Sequence, residues 1–264
     1  MEKPIKLSYP KVNKDNNDAN KAAEHANFTI IGKVSSPYKE KFAIPRQPGL
    51  VSCAKGTVTL IGQANNCELV RGLEQYSHIW LLFIFHATEQ QGWKPLVRPP
   101  RLGGNKKTGV LATRSTFRPN PIGMSVVKLD KIETINKQVT LHISGLDLLD
   151  ETPIVDIKPY IPYSDAIIDA QAGFAQHQPK TLLTVNYSSS AKMDLQNSIN
   201  DHPELEELIS QVLAQDPRPA YKQSQSELSP VDDKVYGICL YHYNIKWRLI
   251  SASQIEVFEI SSVK

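Results

Sequence analysis

The chain has 264 residues, enough for one large domain or for a domain with a smaller companion. Hydrophobic residues make up 41% and charged residues 22%, which is ordinary for a globular protein, and no apolar run reaches the ~18 residues of a membrane helix. The three cysteines lie outside any CxxC pair and the N-terminus has no apolar signal-peptide core. We therefore expect a cytoplasmic protein with no membrane partner and no structural metal.

The net charge of +3 hides an asymmetry along the chain. Residues 1–160 contain 22 Lys and Arg against 14 Asp and Glu, a balance of +8. Residues 161–264 contain 8 against 13, a balance of −5. This division indicates two modules, of which the first is the better candidate for binding an anionic partner.

The first module has the period-two patterning of β-strands separated by polar turns. Polar residues 1–27 are expected to form a disordered tail. A short helix is predicted at 66–73, with Asn65 or Asn66 as its N-cap. Strands are predicted at 28–34, 56–63, 77–86, 109–113, 124–132 and 138–144. Because strands follow strands, we predict a mainly antiparallel sheet closed into a barrel over residues 28–163.

The second module, residues 164–264, is predicted to be a small α+β domain. Residues 161–195 have an irregular pattern. The clearest helix of the chain follows at 203–215, where Pro203 stands near its start and apolar residues recur on one face. Segments 235–243, 245–250 and 255–260 are predicted to form a three-stranded meander. We interpret Cys67 and Cys239 as small core side chains.

The densest chemical feature is the segment RPPRLGGNKKTGVLATRSTFRPNPIG, residues 98–123. It contains six Lys and Arg and no acid, and its Pro and Gly residues stiffen the backbone. A preordered cationic loop loses little entropy on docking and suits a polyanion. The alternative is a solvated basic loop without a partner.

Several catalytic patterns are absent from the sequence. It contains neither GxGxxG nor GxxxxGK[ST], which disfavours a doubly wound nucleotide-binding domain. It also contains neither GxSxG nor HExxH, and the seven histidines do not have metal-ligand spacing. A metal-dependent hydrolase is accordingly the least favoured of the functions considered.

Four segments carry a resemblance to a known family: PYKEKFAIPRQPGL, RGLEQYSHIWLLFIFH, RPPRLGGNKKTGVLATRSTFRPNPIGMS and DLLDETPIVDIKPY. They resemble the TrmO (TsaA, YaeB) family of tRNA methyltransferases over residues 28–163, and the likeness continues through AQDPRPAY and YHYNIKWR. The resemblance implies a single-sheet β-barrel that binds S-adenosylmethionine (SAM), a C-terminal domain that assists tRNA binding, and a homodimer. It also implies methyl transfer to N6 of threonylcarbamoyl-adenosine (t6A) next to the anticodon of threonine tRNA, which gives m6t6A.

The resemblance also implies a set of cofactor-binding residues. Some of them have an alternative role. His86 could be a core-edge histidine, Arg114 could be a phosphate contact or a surface cation, and residues 151–153 could form a plain turn. The residues implied to contact SAM are Pro48, Gly49, Leu50, His86, Ala87, Arg114, Met124, Glu151, Thr152, Pro153 and Ile154.

Asp156, Lys158 and Tyr160 alternate along one extended segment, so their side chains should face the same way. Methyl transfer to a ureido nitrogen requires alignment of the reacting atoms and loss of a proton. We take these three residues as the catalytic candidates, with Asp156 as the base. The alternative is a structural ion pair of Asp156 with Lys158 or with an arginine of the basic segment.

Cations on the basic segment and on the Pro-rich stretch after the 203–215 helix are the candidates for RNA contact. Tyr221 could stack on an unpaired anticodon-loop base, although the prolines also simply end the helix. The predicted RNA-binding residues are Arg98, Arg101, Lys106, Lys107, Arg118, Arg218 and Tyr221. The rival interpretation of the whole chain is a non-catalytic RNA- or SAM-binding module.

Overall fold

A computed structural model describes residues 26–102, 106–177, 183–198, 201–218 and 234–263. Its first part contains eight strands: β1 (Gly32–Ser35), β2 (Lys55–Leu60), β3 (His78–Ile84), β4 (Leu96–Val97), β5 (Thr108–Gly109), β6 (Ile122–Ile135), β7 (Gln138–Ser144) and β8 (Pro153–Pro159). Six of them close into a barrel in the order β1-β2-β7-β6-β3-β8, with every neighbouring pair antiparallel. The predicted antiparallel barrel is confirmed.

Alternation of side chains explains why these strands close. Val58, Leu81, Leu141 and Ile143 point into the barrel and are almost completely buried. The residues between them lie on the outer surface, so each strand has one apolar and one mixed face. Closure pairs both edges of the sheet and leaves no open strand among these six.

The second part is a four-stranded sheet with helices. The strands β9 (Thr184–Tyr187), β10 (Tyr236–Leu240), β11 (Tyr243–Ser251) and β12 (Gln254–Ser262) lie in the order β10-β11-β12-β9. Three helices accompany them: α1 (Pro162–Asp165), α2 (Ser189–Ser198) and α3 (Leu205–Ala214). The predicted meander is confirmed as β10–β12, and the predicted helix at 203–215 is confirmed as α3, which buries its apolar face.

The irregular pattern predicted for residues 161–195 is wrong in its second half, where β9 and the start of α2 lie. Strand β9 pairs in parallel with β12, about 70 residues later in the chain. It is only four residues long, and helix α2 has a weak apolar stripe, with Ala191 and Leu195 as its buried apolar residues. Neither element has a strong local pattern, because each is stabilised by the sheet it joins.

Three smaller predictions in the barrel half also require correction. The strand predicted at 109–113 is mostly a 3-10 turn at Val110–Ala112 that follows the short β5. The helix predicted at 66–73 is replaced by 3-10 turns at Cys67–Val70 and Leu73–Gln75, although Asn66 does cap the first by accepting from Glu68 N. Cys67 is exposed rather than in the core, and Cys239 is half-buried. Short turns satisfy the same local hydrogen bonds as a helix start, so sequence pattern alone does not separate them.

The two parts contact each other through the connection between β1 and β2. Tyr38, which is completely buried, forms a bridge with Leu240. The backbone N–H of Tyr241 donates to Pro37 O at 2.7 Å, and that of Cys239 donates to Glu40 Oε1 at 2.8 Å. Backbone N–H groups of the C-terminal part therefore donate to both backbone and side-chain oxygens of the β1–β2 connection.

The boundary predicted between residues 163 and 164 lies inside α1, after the last barrel strand and before the C-terminal sheet. The domain division remains a prediction. Most of the predicted tail, residues 1–25, lies outside the described residues. In the described part of the chain, no helix is both long and apolar enough to cross a membrane.

Candidate active site

The two ends of the barrel differ greatly in their connections. Strands β1, β3 and β7 end where β2, β6 and β8 begin, so the connections 36–54, 85–121 and 145–152 all emerge at one end. We call these three connections the site rim. The opposite end carries the 61–77 connection and the two-residue turn at Asn136–Lys137. Long connections on one rigid end are the usual place for binding residues.

The site rim brings together most of the predicted cofactor residues, which lie far apart in the chain. Met124 is the exception, because it lies on the outer wall of β6. The members at the rim are Pro48, Gly49, Leu50, His86, Ala87, Arg114, Glu151 and Thr152, together with Pro153 and Ile154 at the start of β8.

Gly49 holds two parts of the rim together. Its N–H donates to Gly145 O at 2.8 Å, which joins the first and third connections. Its φ is +77°, in the left-handed region that favours glycine, and no heavy atom lies within 4 Å of the position that a Cβ would take. The open side of Gly49 leaves its backbone accessible to a ligand.

Arg114 contacts the segment that precedes this glycine. Its Nη1 donates to Gln47 Oε1 at 2.5 Å, two residues before Gly49. Two lysine ammonium groups lie over the ring of Phe117. Lys94 Nζ is 4.7 Å and Lys41 Nζ is 5.7 Å from the ring centroid. These positive groups favour an anionic ligand group at this part of the rim.

The 145–152 connection is a tightly bonded turn, as the plain alternative for residues 151–153 proposes. Thr152 is buried, its Oγ1 donates to Leu149 O at 2.6 Å, and its carbonyl accepts from Val34 N. Glu151 has a φ of 61° and its carboxylate pairs with Lys33 at 3.2 Å on the surface. Thr152 therefore has a structural role in the turn.

Asp147, on the same connection, was not identified from the sequence. Its Oδ1 accepts from Ser125 Oγ at 2.6 Å, and Ser125 faces the barrel interior, 2% exposed. Burial raises the pKa of Asp147 to about 6, against the lowering effects of the Ser125 hydrogen bond and of the Arg114 charge. The local signal was a single acid between Leu146 and Leu148, which are both buried.

His86 follows the end of β3 on the second connection. Its N–H donates to Ile84 O at 2.8 Å, while Phe85 N donates to Pro121 O at 2.7 Å. These bonds hold the chain close to the start of β6 after β3 ends. His86 is half-buried at this edge, which is compatible both with a contact to SAM and with a core-edge histidine.

The catalytic candidates lie on the outer wall of β8. Asp156 is opposite Leu82 and Lys158 is opposite Trp80, so the two face the same way, as predicted, and that way is outwards from the barrel. Asp156 Oδ2 pairs with Lys158 Nζ at 2.7 Å, the structural ion pair that was the alternative for these residues. Tyr160 packs its ring 5.9 Å from that of Trp80.

The outer wall continues directly from the rim. Met124 lies opposite Leu82 on β3, whose other neighbour is Asp156 on β8. Met124 is 53% exposed, so this row presents an apolar surface beside an ion pair. The structure thus places Met124 with the catalytic candidates rather than with the other cofactor residues.

Four of the predicted RNA-binding residues are exposed near the tip of one ribbon. Strands β4 and β5 pair within the second connection, and the chain beyond them carries Arg98, Arg101, Lys106 and Lys107. The Arg101 guanidinium donates to His177 O, which joins the ribbon to the chain after α1. Arg118 is half-buried, and its Nη1 donates to Thr113 O at 2.7 Å, so part of its guanidinium holds the loop.

The remaining two RNA candidates have different outcomes. Arg218 is buried and forms a bidentate pair with Asp216, with both N–O distances at 2.7 Å. The Arg218 guanidinium is 4% exposed and held in this way, so it is not placed to reach RNA as predicted. Tyr221 lies outside the described residues.

Comparison with known proteins decides the family. The profile of the tRNA-methyltransferase O N-terminal domain matches residues 33–166, and that of the TrmO C-terminal domain matches residues 180–263. The chain belongs to the TrmO family. The predicted family resemblance is confirmed.

Individual TrmO relatives cover nearly the same length. The chain is 48% identical to the tRNA (adenine(37)-N6)-methyltransferase of Escherichia coli strain K12, over 88% of this chain and 97% of that protein. It is 44% identical to a putative S-adenosylmethionine-dependent methyltransferase, RcsF, of Pseudomonas aeruginosa, over 88% of this chain and 96% of that protein. A crystal structure of TrmO from P. aeruginosa superposes with a TM-score of 0.74 at 38% identity, over 91% and 98% of the two chains.

No group of three His, Cys, Asp or Glu side chains suited to holding a metal ion occurs in the ranges the structure describes. The candidate site of this TrmO-family chain contains charged, aromatic and backbone groups. The site rim provides the charges, and the outer wall of β8 continues from it.

Proposed function

We propose that this chain, as a TrmO-family tRNA (adenine-N6)-methyltransferase, transfers the methyl group of SAM to N6 of t6A beside the anticodon, giving m6t6A. The observation that carries the proposal is the convergence of Gly49, Arg114 and Asp147 on one barrel rim. The outer wall with Asp156 begins at the same rim. Family membership supports the tRNA and the adenine, and the names of relatives support SAM.

The groups at the rim fit SAM chemically. Gly49 leaves open space beside its backbone, and Arg114 could hold a carboxylate in bidentate fashion. Asp147 provides a largely buried negative charge suited to a cationic ligand. SAM, when bound, supplies a methyl group on a positively charged sulfur.

The chain's own residues are expected to act mainly by positioning. The rim holds the donor, and the ribbon and outer wall orient the nucleotide, since alignment of the acceptor nitrogen dominates the barrier to such a transfer. Asp156 remains our candidate for accepting the N6 proton. Lys158 and Tyr160 would fix its orientation, because Lys158 already binds one of its oxygens and Tyr160 packs on the adjacent Trp80.

The nucleic-acid partner that we propose is threonine tRNA, bound at its unpaired anticodon loop. The exposed cations Arg98, Arg101, Lys106 and Lys107 would contact its phosphates, with Arg118 beside them. We also propose that the protein acts as a homodimer in the cytoplasm.

A methyl-incorporation assay tests this function. The full-length protein is incubated with radiolabelled SAM and threonine tRNA, with or without the t6A modification, and the tRNA is digested to nucleosides. We expect label in m6t6A only when t6A is present. Label in another nucleoside would contradict the proposed acceptor. No label, combined with SAM binding measured by calorimetry, would instead support a non-catalytic binding module.

A further inference from the structure

Asp147 is a carboxylate of the rim that the proposed function has not yet matched to a particular atom of the ligand. Its carboxylate contacts Ser125, and no Lys, Arg or His nitrogen of the described residues lies within 4.0 Å of it. An acid that is largely removed from water without a cation costs free energy in the folded protein. Such a cost persists at functional sites where a ligand supplies the missing charge.

The position of Arg114 shows which kind of ligand fits. Its charge is close enough to lower the pKa of Asp147, yet the two side chains do not form an ion pair. The guanidinium instead donates to the neutral Gln47. A positive and a negative group that face the same region without neutralising each other suit a zwitterion, whose two charges can pair with both.

The backbone places both groups beside the same opening. Gly49 follows Gln47 by two residues, and its N–H binds Gly145 O, two residues before Asp147. The side of Gly49 on which a Cβ would stand is open, and it adjoins both the Gln47 contact of Arg114 and the segment that carries Asp147. An α-amino acid bears its ammonium and carboxylate on one carbon, so both charges would enter this space together.

Resting on the proposed use of SAM, we infer that Asp147 binds the α-ammonium group of its methionine part, while Arg114 binds the α-carboxylate. Asp147 is then a ligand-binding residue that determines specificity for a zwitterionic donor. Ser125 is a positioning residue, since its hydroxyl donates to Oδ1 of Asp147 and fixes the orientation of the carboxylate.

The test is calorimetric binding at pH 8 to the full-length protein and its Asp147→Asn variant. Three ligands separate the contributions. SAM and S-adenosylhomocysteine both carry the ammonium, but only SAM carries the sulfonium charge, and 5′-methylthioadenosine carries neither. We expect Asp147→Asn to weaken SAM and S-adenosylhomocysteine by the same factor, about 10–100-fold, and to leave 5′-methylthioadenosine unchanged.

Matched variants control for general damage. Asp130→Asn is the matched control, because Asp130 also accepts a hydrogen bond from a serine, Ser144, at 3.2 Å but is exposed on the outer surface. This variant should leave all three affinities unchanged. Ser125→Ala retains the carboxylate and should weaken the two zwitterions less than Asp147→Asn does. The des-amino analogue of S-adenosylhomocysteine has no ammonium for Asp147 to bind, so Asp147→Asn should not weaken its binding.

Each contrary result has a distinct meaning. Loss of SAM binding alone would assign Asp147 to the sulfonium and overturn the ammonium assignment. Equal weakening of 5′-methylthioadenosine would indicate a distorted pocket, and undiminished binding of all ligands would remove Asp147 from the site. If the unsubstituted protein bound neither SAM nor S-adenosylhomocysteine, the proposed cofactor itself would be wrong and the inference would fail with it.

Discussion

Asp147 shows how one half-buried charge can oppose stability and serve binding. Burial is the largest influence on this carboxylate and raises its pKa from 3.8 to about 6. The folded protein therefore binds this proton more tightly than the unfolded chain does. Below about pH 4 the carboxyl is protonated in both states and does not reduce stability. The loss of stability grows between pH 4 and 6, and it is complete above pH 6.

We predict that Asp147→Asn stabilises the ligand-free protein at pH 8. A shift of about two pKa units corresponds to at most about 3 kcal/mol. The amide removes this penalty, and Ser125 can still donate to its oxygen. Urea unfolding at pH 8 and pH 4 measures the effect, which should nearly vanish at the lower pH. A less stable variant at pH 8 would show that the ionised carboxylate contributes to the fold.

The opposite case is the buried pair of Arg218 with Asp216. Here each charge has its partner at 2.7 Å, so the cost of burial is offset within the chain. The two aspartates therefore differ. The charge of Asp216 is neutralised within the fold, whereas the charge of Asp147 is left for a ligand. The sequence shows both aspartates beside apolar or proline residues and does not distinguish them.

At the scale of elements, the site depends on how β3 and β6 meet at the rim. Gly123 lies opposite Phe83, and the rings of Phe83 and Phe85 pack edge to face with centroids 5.2 Å apart. A Cβ on Gly123 would lie 2.4 Å from the Phe83 ring and 2.8 Å from the Phe85 ring. Glycine is needed here because the two aromatic rings occupy the space of a side chain.

We predict that Gly123→Ala destabilises the protein by about 1–3 kcal/mol, because the two rings must leave their preferred positions. Binding of SAM should weaken as well, since Phe85 leads directly into His86. Urea unfolding and calorimetry give the two measurements. Gly109→Ala is the matched control, because no atom lies within 4 Å of its added Cβ. Equal stability of the two variants would contradict this packing argument.

At the scale of the whole molecule, exposed cations lie at both ends of the barrel, and only one of the two sets lies on the side of the site rim. The ribbon of β4 and β5 carries exposed cations on the rim side. Lys131 and Lys137 lie towards the opposite end, near the β6–β7 turn. Binding to a polyanion that occupies only the rim should depend on the first set and not on the second.

We predict that the double variant Lys106→Ala, Lys107→Ala weakens tRNA binding. The slope of log K against log salt should become shallower by about 1.5–2, because two phosphate contacts are lost. Filter binding over a salt series measures both. The double variant Lys131→Ala, Lys137→Ala makes the same charge change elsewhere and should keep the original slope. Equal effects of the two variants would show that net charge, rather than the ribbon, determines binding.

Local patterns were sufficient for the main architecture and insufficient for its irregular parts. Alternation of apolar residues predicted the antiparallel barrel, and the 3.6-residue period predicted α3. The strand predicted at 109–113, the helix predicted at 66–73 and the irregular second half of 161–195 were wrong. For the first two, local 3-10 turns replace the predicted element, and for the third the partner that decides the strand, β12, lies about 70 residues later than β9.

The sequence by itself determined the barrel class, the family and the three segments that carry the site, because these depend on periodicity and on motif residues. Only the tertiary structure decided that the segments share one rim, since closure of six antiparallel strands places three distant connections together. It also decided which charges are buried. Asp147 and Arg218 are ordinary charged residues in the sequence, and burial by distant parts of the chain separates a charge left for a ligand from one paired within the fold.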